Sequence, residues 1–172
     1  MRFVDLLKAT VLLSLASASV LALVTVITAN LAADQTLVFV AMGWWLVCGA
    51  IGVRLGRRLE PTDAVATALR EARMSTALPD LQQGRILLNR LWPLLSMTAV
   101  ASGLALLVPQ VAAVAAGFCV IWSLSWRHQE AAVTAIEERD GVTFFVTSTS
   151  AVGPVKLVRT PGLRREVPSG IA

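Results

Sequence analysis

The chain has 172 residues, 56% of them hydrophobic, and carries a formal net charge of +4 at neutral pH. Its mean hydropathy of +0.70 and its apolar content exceed the ~45–50% apolar residues of ordinary soluble domains. This composition excludes a typical water-soluble globular protein and predicts a membrane protein. Arginine outnumbers lysine 13 to 2, a bias that we attribute to a GC-rich bacterial genome, so the expected location is a bacterial inner membrane.

The first apolar run contains no ionisable residue between Ala9 and Ala33, a length of 25 residues. A helix rising ~1.5 Å per residue needs only ~20 residues to cross the hydrocarbon core, so the run predicts a transmembrane helix. A cleaved signal peptide is the alternative, because Arg2 and Lys8 precede the run and residues 16–18 have the form of a cleavage site. Cleavage there would leave a very short apolar segment, and we therefore favour an uncleaved anchor.

A second apolar run extends from Thr36 to Val53, and only a few polar residues separate it from the first. Such a short connection allows a tight turn between two antiparallel helices. Residues 1–56 are therefore predicted to form a first transmembrane hairpin.

A third apolar stretch lies between Arg90 and Arg127, where 36 residues carry no ionisable side chain. A single helix of that length would measure roughly 54 Å, nearly twice the hydrocarbon thickness. Pro109-Gln110 lies close to the midpoint, and proline ends or kinks a helix. Residues 91–126 are therefore predicted to form a second hairpin, with spans at 91–108 and 111–126.

The distribution of charge tests this threading independently. Four spans place all 15 lysines and arginines on one side, whereas three spans would place the last six on the other. Basic residues close to span ends remain in the cytoplasm. The sequence therefore predicts four spans, cytoplasmic N- and C-termini, and Asp34 as the external charge.

Residues 57–90, between the two hairpins, are predicted to form a cytoplasmic amphipathic helical loop. Val65, Ala68, Leu69 and Ala72 recur at helical spacing after a Pro-Thr-Asp start. Basic residues near a membrane surface attract anionic lipid headgroups at ~1 kcal/mol each. The candidates for contact with headgroups or with a protein partner are Arg54, Arg57, Arg58, Arg70 and Arg73. The alternative is that these arginines only reflect the positive-inside rule and recognise no specific lipid.

The cytoplasmic tail, residues 127–172, contains strand-like segments at 134–139 and 142–147 on either side of Asp140-Gly141. That dipeptide is typical of a tight hairpin turn, so a small β-hairpin is predicted here. The competing interpretation continues the fourth span as a helix that ends at Gly141. Another short strand is predicted within residues 153–162, which have proline and glycine at both ends.

Together these elements predict an all-α integral membrane protein with four transmembrane helices in two antiparallel hairpins, a cytoplasmic amphipathic loop helix and a small C-terminal β-hairpin. Small residues let membrane helices approach closely. The residues predicted to serve helix packing, within the chain or with another chain, are Ser14, Ser17, Ala18, Gly52, Gly56, Gly103 and Gly117.

The predicted spans contain no ionisable residue, which weighs against a proton-coupled carrier. The only histidine, His128, has no cysteine or second histidine with metal-ligand spacing, and Cys48 and Cys119 lie in apolar runs. The sequence also lacks a serine elbow, an HExxH helix and a phosphate-binding glycine loop. We therefore predict no catalytic residue, no metal and no cofactor.

The function predicted from these observations is that of a small non-catalytic interaction or accessory subunit. Its expected partners are membrane lipid and either another protein or a second copy of the chain, with no nucleic acid. The alternative is a homo-oligomeric channel or transporter lined by hydroxyl groups of the first span, at Ser14, Ser17, Thr25 and Thr28. A membrane-bound enzyme that depends on His128 is a third hypothesis.

Overall fold

The structure, a computed structural model, describes residues 1–57, 61–74, 83–148 and 155–161. This part of the chain is mostly helical. Its elements in chain order are α1 Phe3–Leu31, α2 Gln35–Leu55, α3 Asp63–Arg70, β1 Arg73–Met74, α4 Gln83–Leu104, α5 Pro109–Trp126, α6 Gln129–Asp140, β2 Val142–Ser148 and β3 Lys156–Pro161.

Three helical runs in the described part of the chain are long and apolar enough to cross a membrane: α1, α2 and the run Pro109–Asp140, which contains α5 and α6. The break predicted at Pro109-Gln110 lies between α4 and α5, with Pro109 as the first residue of α5. Helix α4 is not among the three. Its part without charged residues, 91–104, is about 21 Å long at ~1.5 Å per residue, which is less than the ~30 Å hydrocarbon core.

Helix α5 is the central helix and packs against both α1 and α2, whereas α1 and α2 contact each other only slightly. Helix α5 is antiparallel to α1, because Ser123 Oγ, near its end, donates a hydrogen bond to the Val11 carbonyl oxygen at 3.3 Å, and Ala112, near its start, packs with Leu21. Helices α1 and α2 therefore do not pack as a separate pair, because each contacts α5 much more than the other.

One end of the bundle, here called the basic end, holds the start of α1, the end of α2, the start of α4 and the end of α5. The first two turns of α1 pack there with α3, α6 and the strands. The buried apolar side chains of this basic-end core are Met1, Phe3, Val4, Leu6, Leu7, Val65, Leu69, Ala72, Val133, Phe144, Val146 and Leu157. The core joins the start of the chain to segments more than a hundred residues away.

The strands form a small mixed sheet in the order β1-β3-β2. Strand β3 pairs antiparallel with β2 and parallel with the two-residue β1. The N-terminus extends this sheet, because Arg2 forms an antiparallel bridge with Phe145 and the Val146 N–H donates to the Met1 carbonyl oxygen at 3.0 Å.

The hairpin predicted around Asp140-Gly141 is wrong. Residues 134–139 belong to α6, and Gly141, with φ 62°, ends that helix in the left-handed conformation. The competing interpretation is confirmed in that these residues are helical and end at Gly141, although they belong to a separate helix that begins at Gln129, after α5 ends at Trp126. The strand predicted at 142–147 is present as β2, but its antiparallel partner is β3, which lies within the predicted segment 153–162.

Helix α3 is the amphipathic helix predicted in the loop. Its apolar residues Val65 and Leu69 are buried in the basic-end core together with Ala72. This face of α3 therefore packs on protein. Helix α4 begins at Gln83, before the third apolar stretch, and Pro93 lies in the helix interior.

Candidate functional site

The contact between α2 and α5 depends on a glycine opposite two tryptophans. Trp45 Nε1 donates a hydrogen bond to the Ala113 carbonyl oxygen at 2.9 Å, and Trp44 Nε1 donates to that of Val114 at 3.4 Å. A Cβ on Gly117 would overlap Trp44 Nε1 and lie 2.7 Å from Cys48 Sγ. Gly117 therefore leaves the space that the Trp44 ring occupies.

The C-terminal end of α2 approaches α5 equally closely. A Cβ on Gly52 would lie 2.8 Å from Leu124 Cβ, and one on Gly56 would overlap the Leu124 carbonyl oxygen. Gly103 is different, because a Cβ there would meet no atom within 4 Å among the described residues. The structure thus brings Gly52, Gly56 and Gly117 to one helix contact, whereas the Cβ position of Gly103 is open among the described residues.

The small and hydroxylated residues of α1 face inward. Ser14, Ser17 and Ala18 are buried, as are Thr25 and Thr28. The hydroxyls of Ser14, Thr25 and Thr28 each donate to a carbonyl oxygen four residues earlier in α1, at 2.8 Å in all three cases. These hydroxyls are therefore satisfied by the helix that carries them.

The predicted contact arginines lie at the basic end. Arg54, Arg57, Arg70 and Arg73 are all exposed, so their guanidinium groups are accessible to a lipid headgroup or to a partner. Arg58 lies outside the described residues.

Glu137 on α6 is a buried carboxylate that joins three segments. Its Oε2 accepts a hydrogen bond from Arg2 Nη2 at 2.9 Å, and its Oε1 accepts one from the buried N–H of Phe144 at 2.9 Å. A second ion pair, Lys8 Nζ to Glu130 Oε1 at 3.1 Å, also joins α1 to α6. The two pairs fix α6 and β2 against the start of the first helix.

A cavity of about 750 Å³ lies at the basic end between α1, α3, α4 and α5. Most of its lining is apolar, with Phe3, Leu6 and Leu7 from α1 and Leu91 and Leu94 from α4 among the contributors. Among the described residues, its ionisable lining groups are Asp63 and Glu71 at the two ends of α3 and Arg90 on α4. The cavity is therefore amphipathic.

Two tryptophans of α5 form part of this lining. Trp122 and Trp126 stack with ring centroids 5.7 Å apart and planes inclined by 21°. Trp122 remains 52% exposed, so its ring lies at the surface of the bundle as well as on the cavity wall.

Sequence reasoning did not identify the cavity, and it did not predict that Glu137 is buried and bonded to Arg2 and Phe144. Trp122 and Trp126 stand four residues apart on a helix, a spacing that stacks side chains and that could have indicated the α5 part of the wall. No sequence pattern distinguishes Glu137 from its neighbour Glu138, because the two side chains are identical although only Glu138 is exposed.

Comparison with known proteins gives no match: the chain fits no protein-family model and matches no curated protein and no solved structure. Within the described ranges, no three histidine, cysteine, aspartate or glutamate side chains lie close enough to share a metal ion.

Proposed function

We propose that this chain is a four-span protein of a bacterial inner membrane, with both termini in the cytoplasm, and that it acts as a non-catalytic interaction or accessory subunit. The positive-inside rule supports this orientation. The lysines and arginines of the described ranges all belong to segments at the basic end, whereas Asp34 lies in the turn at the opposite end.

The path of α4 supports a fourth crossing. Leu91, near its start, lines the cavity together with Leu7 of α1, and Ala101, near its end, packs against Leu21. Helix α4 therefore runs alongside α1 in the same direction, over a depth similar to that of α5. Its short apolar segment is compatible with a span when flanking basic side chains extend to the interface.

The outer face of α2 is the observation that carries the subunit role. Phe39 and Leu46 are 68% and 76% exposed, and a Cβ on Gly43 would meet nothing within 4 Å among the described residues. Ala50, one heptad after Gly43, is exposed as well. Small residues on an unoccupied face allow a second helix to approach closely, so this face suits a transmembrane helix of another chain.

The placement of the α1 hydroxyls favours this role over a conducting path. Ser14 and Thr25 are fully buried within the chain, and both bond to α1 carbonyl oxygens. A channel in an oligomer would need such groups to face a shared aqueous path.

Purification in mild detergent followed by mass measurement tests the role. We expect the chain to copurify with a second protein or with one further copy, and Gly43→Leu to lower that recovery about tenfold, as loss of ~1.4 kcal/mol of binding would. Gly103→Leu is the matched control, because its site is also open but lies on α4, and it should leave recovery unchanged.

Two results would contradict the proposal. One is a chain that remains alone both in detergent and after cross-linking in native membranes. The other is a closed ring of identical chains that conducts solutes in liposomes and loses flux when the Ser14 and Thr25 hydroxyls are removed.

A further inference from the structure

The cavity at the basic end combines carboxylates, a guanidinium group and an apolar interior. Asp63, Thr67 and Glu71 line it from α3, and their spacing of four residues places them along one side of that helix. Val65 and Ala68 of α3 line the cavity as well, whereas Leu69 is buried in the basic-end core. Helix α3 therefore contributes both carboxylates and apolar side chains to the cavity wall.

The opposite wall carries the positive group and much of the apolar surface. Arg90 and Leu94 of α4 line the cavity together with Trp122 and Trp126 of α5. Tryptophan is enriched where a membrane meets water, and Trp122 on this wall is half exposed. We therefore expect this wall at the level of lipid headgroups, where a lipid can enter sideways from the adjacent leaflet.

We infer that this cavity binds one phospholipid whose headgroup carries both a phosphate and an ammonium group. The volume of about 750 Å³ lies within the ~300–1,000 Å³ of ligand-binding cavities. Acyl carbons occupy the space between Leu7, Leu94 and Trp122, the ammonium lies near the carboxylates of α3, and the phosphate lies towards Arg90. This binding goes beyond the proposed subunit role and does not depend on it.

Charge decides the headgroup class. The described lining carries two carboxylates and one guanidinium group, so a headgroup that is only anionic would bring its charge close to Asp63 and Glu71 and would supply no cation to them. An ammonium group offers these carboxylates charge-assisted hydrogen bonds, while the phosphate of the same headgroup is attracted to the guanidinium of Arg90. The pairing of both signs in one cavity therefore favours a zwitterionic headgroup.

The test is native mass spectrometry of the full chain, released from bilayers that contain equal amounts of phosphatidylethanolamine and phosphatidylglycerol. We expect one retained lipid per chain, with phosphatidylethanolamine preferred about tenfold. The double variant Asp63→Asn with Glu71→Gln, at two exposed positions, should reduce that preference to about twofold or less. Asp5→Asn, an exposed carboxylate outside the lining, should preserve it.

A second variant fills the cavity. Ala68 lines it from α3, and Ala68→Trp should lower lipid retention about tenfold in chains that keep the wild-type thermal midpoint; if this variant does not fold, the charge variant alone decides. Retention without headgroup preference in the wild-type chain would overturn the inference. Displacement of the lipid by an equal concentration of glycerophosphoethanolamine would also overturn it, since the ligand would then come from the aqueous phase.

Discussion

Glu137 shows how one buried side chain joins distant parts of the sequence. It is only 6% exposed and contacts both the N-terminal arginine and the backbone of β2. A buried carboxylate is costly without such partners. Its hydrogen bonds therefore specify the position of the tail against the first helix, a position that hydrophobic contacts alone would define less precisely.

Replacing Glu137 by alanine should loosen the basic end. The Phe144 N–H would then be buried without an acceptor, and Arg2 would lose its ion pair, at a cost of about 2–4 kcal/mol. Glu137→Gln keeps an acceptor for the amide and should cost about half as much. Hydrogen exchange of peptides that cover β2 measures the effect directly.

The control for this prediction is the adjacent exposed residue. Glu138→Ala removes the same carboxylate from the surface of α6 and should change β2 exchange by a small amount only. If β2 exchanged hydrogen at the same rate in the Glu137→Ala and Glu138→Ala chains, the hydrogen bonds of Glu137 would not be what holds β2 in place.

At the scale of elements, the long apolar runs and the break at Pro109 are predictable from sequence, because run length and proline act locally. The hairpin at Asp140-Gly141 was mispredicted for a physical reason. A glycine with positive φ suits the end of a helix as well as a tight turn, and the alanines of 131–135 favour the helix. Strand β1 could not be predicted, since two residues have no periodicity and pair only once β3 is in place.

The packing of α2 on α5 gives a prediction at this scale. In Gly117→Ala the new methyl group would displace Trp44 and weaken the hydrogen bonds from both tryptophans to α5, so the variant should lose about 1–3 kcal/mol of stability. Gly103→Ala, at an open position, should be neutral or slightly stabilising because alanine is the better helix former. Thermal unfolding of the two variants in the same detergent compares them.

A compensating change makes the prediction specific. Trp44→Ala removes the ring that the Gly117→Ala methyl would meet, so the double variant should lose less stability than the two single losses combined. Strict additivity, or a Gly103→Ala chain as unstable as Gly117→Ala, would show that close approach at Gly117 does not hold these helices together.

At the scale of the whole molecule, the helices, the sheet and the charges share one organisation. The basic end contains the basic-end core, the cavity and the cationic side chains of the described residues, whereas the opposite end has two short turns between helices. The cavity was beyond sequence reasoning, because its walls come from four helices and no segment carries the pattern alone. The orientation in the membrane stays a prediction, which comes from the sequence because the positive-inside rule depends only on where charges fall along the chain.

The central claim, that α4 crosses the membrane and returns the tail to the cytoplasm, is tested most directly by labelling single cysteines. In a chain with Cys48→Ala and Cys119→Ala, we predict that a membrane-impermeant maleimide labels Gln110→Cys in intact cells and labels Arg139→Cys only after the membrane is opened. Labelling of Arg139→Cys but not of Gln110→Cys in intact cells would contradict the account, since α4 would then remain on the cytoplasmic side.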